Sequence, residues 1–259
     1  MLPGWLAGDT SGVDIAELSR KILDRRDDPS RPLRIVQAGH PALRLRARSA
    51  RGRLDAELLR ELVDAMTVTM REAPGVGLAA PQVGLPLALF VIEDRVAGPA
   101  EQEGDPAVTA GTGDADVSAA LERSPVPLRA ILDPAVEPLG TERVYAWEGC
   151  LSVDGWQSIV PRSRRVRLQG AELGTDGRLH EVDEEHVGWP ARILQHETDH
   201  LHGTLCHDTM VPRSFVEAGY TSHYEQMPEA VRRLGLSGEI TRLAPGEVVL
   251  GGSAEPQER

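Results

Sequence analysis

A chain of 259 residues, 41% hydrophobic and 26% charged, holds material for one large domain or two small ones in an ordinary globular balance. Its 28 bases against 40 acids leave a net charge of -12, which opposes broad electrostatic attachment to nucleic acid or anionic lipid. No apolar run is long enough to span a bilayer, Met1-Leu2-Pro3-Gly4-Trp5 lacks the features of a secretory signal, and two cysteines are too few for a disulfide framework. The expectation is a cytoplasmic protein with both thiols free and a core built mainly from Leu, Val, Ile and Ala.

Residues 1–12 read as a flexible end. From 13 to 26, Val13, Ile15, Leu18 and Ile22 recur at helical spacing ahead of a polar break at 27–32, which together make residues 1–31 an N-terminal extension with a short helix. Leu33 to Val36 is a short strand candidate, and His40-Pro41 marks a turn. The run from Leu54 to Arg71 carries one apolar stripe (Leu54, Leu58, Leu59, Leu62, Val63, Met66, Met70), the signature of a helix with its methionines as core filler.

Gly75-Val76-Gly77-Leu78-Ala79-Ala80-Pro81-Gln82-Val83-Gly84 meets the loose dinucleotide fingerprint, but a helix precedes it and Pro81 with Gly84 opposes a helix after it, so that reading fails. What remains is backbone stripped of bulk, either for close approach to its amides or for packing on a neighbour, with Gln82 as its single polar side chain. Leu87 to Glu93 is a buried strand. Residues 95–127, with six acids and two bases and no apolar period, read as a mobile acidic insertion. Leu128 to Leu132 is strand-like, Asp133-Pro134 turns the chain, and Pro134 to Trp147 allows a further strand pair.

Trp147-Glu148-Gly149-Cys150-Leu151-Ser152 places a thiol beside a glycine that can bend to aim it; taken singly, such a cysteine is either a small buried hydrophobe or a soft donor to a divalent metal. Strands follow from Ile159 to Val187, with a hairpin turn at Gly174-Thr175-Asp176-Gly177. Of the bases Arg162, Arg164, Arg165 and Arg167, alternation puts Arg165 and Arg167 on one solvated face rather than in a nucleic-acid patch. His180 and His186 have no partners at metal-ligand spacing.

Trp189-Pro190 opens a helix that carries Gln195-His196-Glu197-Thr198-Asp199-His200-Leu201. Residues four apart on a helix lie one above the other, so His196 and His200 can bite one ion while Glu197 stands beside it as a base. The pair needs a third ligand, and Cys150 supplies one; three protein ligands leave a position open for water, as catalytic sites do. His202, Cys206 and His207 just past the helix read as satisfied or exposed groups, not a second metal site. Beyond Pro212, Phe215-Val216 and Val231 to Leu234 are helical fragments and Glu247 to Leu250 a strand, within a C-terminal extension at 213–259 that ends loosely.

Three stretches, Gly75 to Gln82, Glu148-Gly149-Cys150-Leu151-Ser152 and Gln195 to Leu201, resemble in order and spacing the three motifs of peptide deformylase, and Arg34 to Arg44 is similar to that family's opening segment. The resemblance covers about residues 32–212 and implies an α+β domain with antiparallel strands packed around a central helix bearing H-E-x-x-H. It further implies one divalent metal on Cys150, His196 and His200, ferrous iron first with zinc, nickel or cobalt as substitutes. The implied reaction is hydrolysis of the formyl group from N-formylmethionyl peptides by a metal-activated water, with Glu197 moving the proton. Gln82 and the Leu151 N–H would serve the oxyanion, and main-chain groups of Val76, Gly77 and Gly149 the extended peptide. A transient ribosome contact through the C-terminal segment is the further expectation. The chain departs from the family at Asp154 and at Gln157, where an apolar-Pro pair and an Arg are common, which changes the peptide contacts rather than the metal donors. Two other classes stay open: a metallopeptidase, whose third ligand is ordinarily His or Glu, and a formyl-peptide binder without turnover, which would have no use for Glu197.

Overall fold

In the computed structural model, which describes residues 12–73, 75–95, 121–224, 227–236 and 250–251, helices begin where the sequence supplies a cap. Asp14 opens α1 (Ile15–Leu23) by accepting from the Glu17 N–H at 3.0 Å, and Asp55 opens α2 (Ala56–Glu72) by accepting from the Leu58 N–H at 2.8 Å. The strands β1 (Gly77–Ala79), β2 (Leu89–Asp94), β3 (Val126–Pro138), β4 (Arg143–Gly149), β5 (Trp156–Ser163), β6 (Arg165–Leu173) and β7 (Leu179–Val187) lead to α3 (Gly188–Leu201). After it come β8 (Val216–Glu217), α4 (Met227–Leu234) and β9 (Leu250–Gly251). This is a mixed helix and antiparallel sheet architecture.

One sheet has the order β1-β2-β3-β6-β7 and is antiparallel throughout. Its inner strands are apolar at consecutive positions because both faces are covered. Leu89, Val91, Ala130, Leu132 and Ala171 pack with α1 and the α2 stripe, while Phe90, Ile92, Ile131, Val166 and Leu168 pack with Ala191, Ile193, Leu194 and Leu201 of α3. At one edge, β7 wears Glu181, Asp183, Glu184 and Glu185, paired with Arg51, Arg167, Arg129 and Arg165, so charge guards an edge that would otherwise recruit another strand. The second sheet, β8-β5-β4-β9, lies against the other side of α3. There Gln195 exchanges two 2.9 Å hydrogen bonds with the backbone of Ser163, and Arg192 donates to the Val160 carbonyl at 3.1 Å. Helix α3 is thereby held between the two sheets. Its C-terminal end is clamped by Ala47, whose N–H donates to the Leu201 carbonyl at 2.8 Å, and by Gly203, whose φ of 76° turns the chain away.

Three local expectations give way. Leu33–Val36 forms no ladder: Leu33 donates to Thr69 Oγ1 and Val36 to the Gln82 carbonyl, both at 2.8 Å, so the segment runs between two elements without joining a sheet. Asp133-Pro134 does not turn the chain but makes a bulge inside β3. Asp133 takes a left-handed φ of 49°, which Asp tolerates, and its carboxylate accepts from Ser49 Oγ at 2.9 Å and the Ala50 N–H at 2.7 Å. Phe215-Val216 is not helical: Val216–Glu217 extends the edge of β5 as β8, and Phe215 stacks on Trp156. The far end of the acidic stretch is structured, since Arg123 grips Asp94 at 2.9 and 3.1 Å and β3 starts at Val126. Residues 96–120, 1–11, 237–249 and 252–259, and with them the reading of loose ends and a mobile loop, lie outside the described residues.

Leu62, fully buried under the five-stranded sheet, tests the α2 packing. Leu62→Ala should cost about 2–5 kcal/mol of unfolding free energy in urea denaturation, at an unchanged slope. A loss below about 1 kcal/mol would mean that α2 is not seated on the sheet.

Candidate metal centre

Because α3 carries them one turn apart, the His196 and His200 rings lie 5.1 Å apart between centroids, at 71°. Cys150, on the residue after β4, brings its Sγ to 3.4 Å from His200 Nε2. Donor atoms of Cys150, His196 and His200 all fall within 4.8 Å of one another. Gln82 closes a further side: its carbonyl oxygen accepts from the Ala79 N–H at 2.8 Å, which aims its amide NH2 at Cys150 Sγ, 3.6 Å away.

The bare backbone at Gly75 and Gly77 is occupied by the protein's own groups. A Cβ on Gly77 would run into the Glu197 carboxylate, with even Glu197 Cγ only 2.8 Å away, and one on Gly75 would meet Leu151 Cδ1 at 2.8 Å. Glycine at both positions lets β1 approach α3 and the Cys150 loop. Glu197 is buried beside it, and its Oε2 finds no hydrogen-bond partner among the described residues. Burial holds the Glu197 carboxyl above the ordinary range, against the pull of the two histidines.

Behind the donors lies a charge cluster that sequence reasoning missed. Buried Glu148 accepts from Arg162 Nε and Nη2, both at 3.0 Å, from Arg192 Nη1, and from His196 Nδ1 at 3.1 Å. Arg162 also pairs with Asp199, so two guanidinium groups face two carboxylates. Burial penalises the Glu148 charge, but Arg162 and Arg192 outweigh it and hold the carboxyl well below its usual range. Two signals were available: Arg162 shares the inward face of β5 with Ser158 and Val160, and Arg192 precedes His196 by four residues on one helix face.

The titration of the site follows from these contacts. A hydrogen bond from Cys206, opposed by burial and joined by His196, brings the Cys150 thiol down to about 5, and the same bond pushes Cys206 up. Burial, then the neighbouring His196, lowers His200 to about 4. For His196, burial acts downward, yet Cys150 and Glu148 raise it well above the ordinary imidazole value.

An open cleft of about 450 Å³ leads to the cluster, lined by Val76, Gly77, Gln82, Gly149, Cys150, Leu151, His196 and Glu197 among others. His200 is buried behind it. At the rim, Gln157 accepts from Thr221 Oγ1 at 2.8 Å, and the Asp154 N–H donates to Gln37 Oε1 at 3.2 Å. His207 meets Ser158 Oγ at 2.6 Å, while His180 and His186 pair with the carboxylates of Asp176 and Glu184. A thiolate with two imidazoles suits a first-row divalent ion, and the unpartnered Glu197 oxygen beside them suits a proton-carrying ligand of that ion.

A family model described as polypeptide deformylase matches residues 32–215. The chain is 44% identical over 209 residues to peptide deformylase 3 of Streptomyces avermitilis, covering 80% of this chain and 85% of that protein. It is likewise 44% identical over 210 residues to the peptide deformylase of Bifidobacterium adolescentis, covering 80% and 86%. Among solved structures, the Met-Ala-Ser-bound class I type b peptide deformylase of Acinetobacter baumannii superposes with a TM-score of 0.56 at 27% identity, over 70% of this chain and 99% of that one. The peptide deformylase of Thermotoga maritima gives 0.53 at 31%, with the same coverage.

Glu148→Gln would leave two buried guanidinium groups without their shared partner, at an expected cost of about 3–5 kcal/mol in denaturant unfolding. Because the folded carboxyl is depressed, its contribution is complete above the unfolded carboxylate value, declines as pH falls below it and is gone once pH has fallen through the lower folded one. The stability gap between wild type and variant should therefore be full at neutral pH, begin to narrow within the ordinary carboxylate range and close only below it. A gap that closes already at the ordinary carboxylate value would contradict the assignment.

Proposed function

Because the chain belongs to the polypeptide deformylase family, we propose that Cys150, His196 and His200 hold the divalent ion on which that family's chemistry depends, ferrous iron in the cell and zinc, nickel or cobalt as substitutes. The chain is a hydrolase that removes N-formyl groups from nascent polypeptides. The observation that carries the site reading is the meeting of a thiol and two imidazoles, distant along the chain, within 4.8 Å of one another and beside the buried Glu197.

When bound, the ion supplies Lewis acidity, which lowers the pKa of water from ~15.7 to about 7 and polarises the formyl carbonyl. Glu148 orients the first histidine: His196 Nδ1–H donates to its Oε2, which fixes the tautomer and leaves Nε2 as the donor atom. Glu197 takes the proton of the attacking water and returns it to the departing amine, and the upward push that burial gives its carboxyl suits both halves of that task. The Gln82 amide, already aimed by Ala79, and the Leu151 N–H donate to the oxygen on which charge develops. β1 is the end strand of its sheet, so Val76 and Gly77 offer an open edge to an extended peptide, with Gly149 facing them across the cleft.

The Acinetobacter structure holds Met-Ala-Ser, the peptide that deformylation of formyl-Met-Ala-Ser leaves behind, and we assign that substrate class to this chain. Gln157, uncharged and engaged by Thr221, makes peptide binding here less dependent on salt than an arginine would. We put the reaction in the cytoplasm, with a transient contact at the ribosome. A metallopeptidase would cut within the peptide, so release of formate from formyl-Met-Ala-Ser without internal cleavage separates the two readings.

Two variants divide the roles. Glu197→Gln should keep stoichiometric metal while formate release falls about 10²–10⁴-fold in kcat, and full activity would remove Glu197 from the reaction. Cys150→Ala should lose stoichiometric metal on anaerobic purification, measured by elemental analysis; retention of a full equivalent would exclude it as a ligand.

A further inference from the structure

Behind Cys150 stands a second thiol that deformylation does not use. Cys206 opens the four-residue 3-10 turn Cys206–Thr209 past the end of α3, is 1% exposed, and shares a small buried cluster with Cys150 and Val160. Both sulfurs also sit beside one imidazole, each within 4.8 Å of a ring nitrogen of His196. Access to them is unequal. Cys150 lines the cleft, whereas Cys206 is not among the lining residues, so an oxidant entering the cleft meets Cys150 first with Cys206 waiting behind it.

We propose that Cys150 and Cys206 form a reversible disulfide when the metal-free chain meets a hydroperoxide. Its consequence for metal binding rests on the reading of Cys150 as a ligand; the bond itself does not. In the first step the Cys150 sulfur attacks the peroxide: an S–O bond forms, the O–O bond breaks, and the leaving hydroxide takes a proton to become water. Cys150 is then a sulfenic acid, oxidised by two electrons. In the second step the Cys206 sulfur attacks the Cys150 sulfur: the S–S bond forms, the S–O bond breaks, and the hydroxyl leaves as water with the Cys206 proton. Two thiols and one hydrogen peroxide give one disulfide and two waters, with peroxide the only oxidant consumed.

The alternative fate explains why the neighbour matters. A sulfenic acid with no thiol in reach is carried on to sulfinic and sulfonic acids, which cellular thiols do not reverse. Closing the sulfurs to a bond of about 2 Å asks for movement, and a short turn between elements can take it up where α3 and β4, locked by the Glu148 cluster, cannot. With its sulfur in the disulfide, Cys150 has no lone-pair anion to offer an ion. The chain then waits without metal until a thiol reductant frees it.

The test uses the full chain stripped by chelator under reduction, freed of reductant, and treated with a several-fold molar excess of hydrogen peroxide. Wild type should lose both thiols and two hydrogens in mass, and yield a peptide in which Cys150 and Cys206 are linked. Dithiothreitol should then restore both thiols and binding of one equivalent of added cobalt, read spectroscopically. Cys206→Ser should instead add oxygens at Cys150 and regain no cobalt binding after reduction. Oxygen addition at Cys150 in wild type, survival of both thiols, or recovery no better than that of Cys206→Ser would overturn the proposal. Mapping the bond in wild type decides the matter even if Cys206→Ser folds poorly, and a failure of the ligand reading shows separately, as metal retained by Cys150→Ala.

Discussion

A single buried carboxylate holds the functional region together. Glu148 is the penultimate residue of β4, and its oxygens accept from Arg162 of neighbouring β5 and from Arg192 and His196 of α3, so one side chain ties two strands of the four-stranded sheet together and joins them to the helix at two points. Removing such a charge from water is costly, and only matched partners offset the cost. Here two guanidinium groups, with Asp199 balancing the second, make the cluster neutral. The same hydrogen bonds that satisfy Glu148 set the plane and tautomer of His196. Structural and chemical demands thus fall on the same atoms.

The rest of the fold arranges the other approaches to that helix. The five-stranded sheet covers the opposite side of α3 with Phe90, Ile92, Ile131, Val166 and Leu168, and its end strand β1 brings Gly77 against Glu197. A large side chain on β1 would separate strand and helix. The sheet's other face is packed by α2, so β1 cannot retreat to make room. The Gly-rich loop is therefore both of the things its composition allowed: a tight packing surface for Glu197 and Leu151, and an open edge beside the cleft. Polar chemistry is concentrated in one pocket of an otherwise aliphatic interior, where low polarizability strengthens each of its electrostatic contacts.

That concentration brings the two thiols together. Cys150 lines the cleft, Cys206 is buried and not among its lining residues, and both sulfurs lie beside His196. A donor sulfur poised for a metal is also poised for oxidants, because both call for the thiolate. A second thiol in the same buried cluster would change where that oxidation ends.

The local patterns determined a good deal. The stripe from Leu58 to Met70 marks α2, unbroken apolar residues mark β2 as covered on both faces, and the four-residue step from His196 to His200 puts both rings on one side of α3. Periodicity states which residues share a face, and the motifs named the family. Neither states what that face meets. The left-handed Asp133 bulge, the edge pairing of Val216–Glu217, the Glu148 cluster and the buried cluster shared by Cys206 and Cys150 all join residues from separate elements. Arg162 shows the difference most plainly: in sequence it is one base among four on a stretch of strands, and only the burial of Glu148 opposite it made it the counter-charge of the site. Tertiary packing decides such partners because the cost of burying a charge depends on what lies across the interface, which no repeat along the chain encodes.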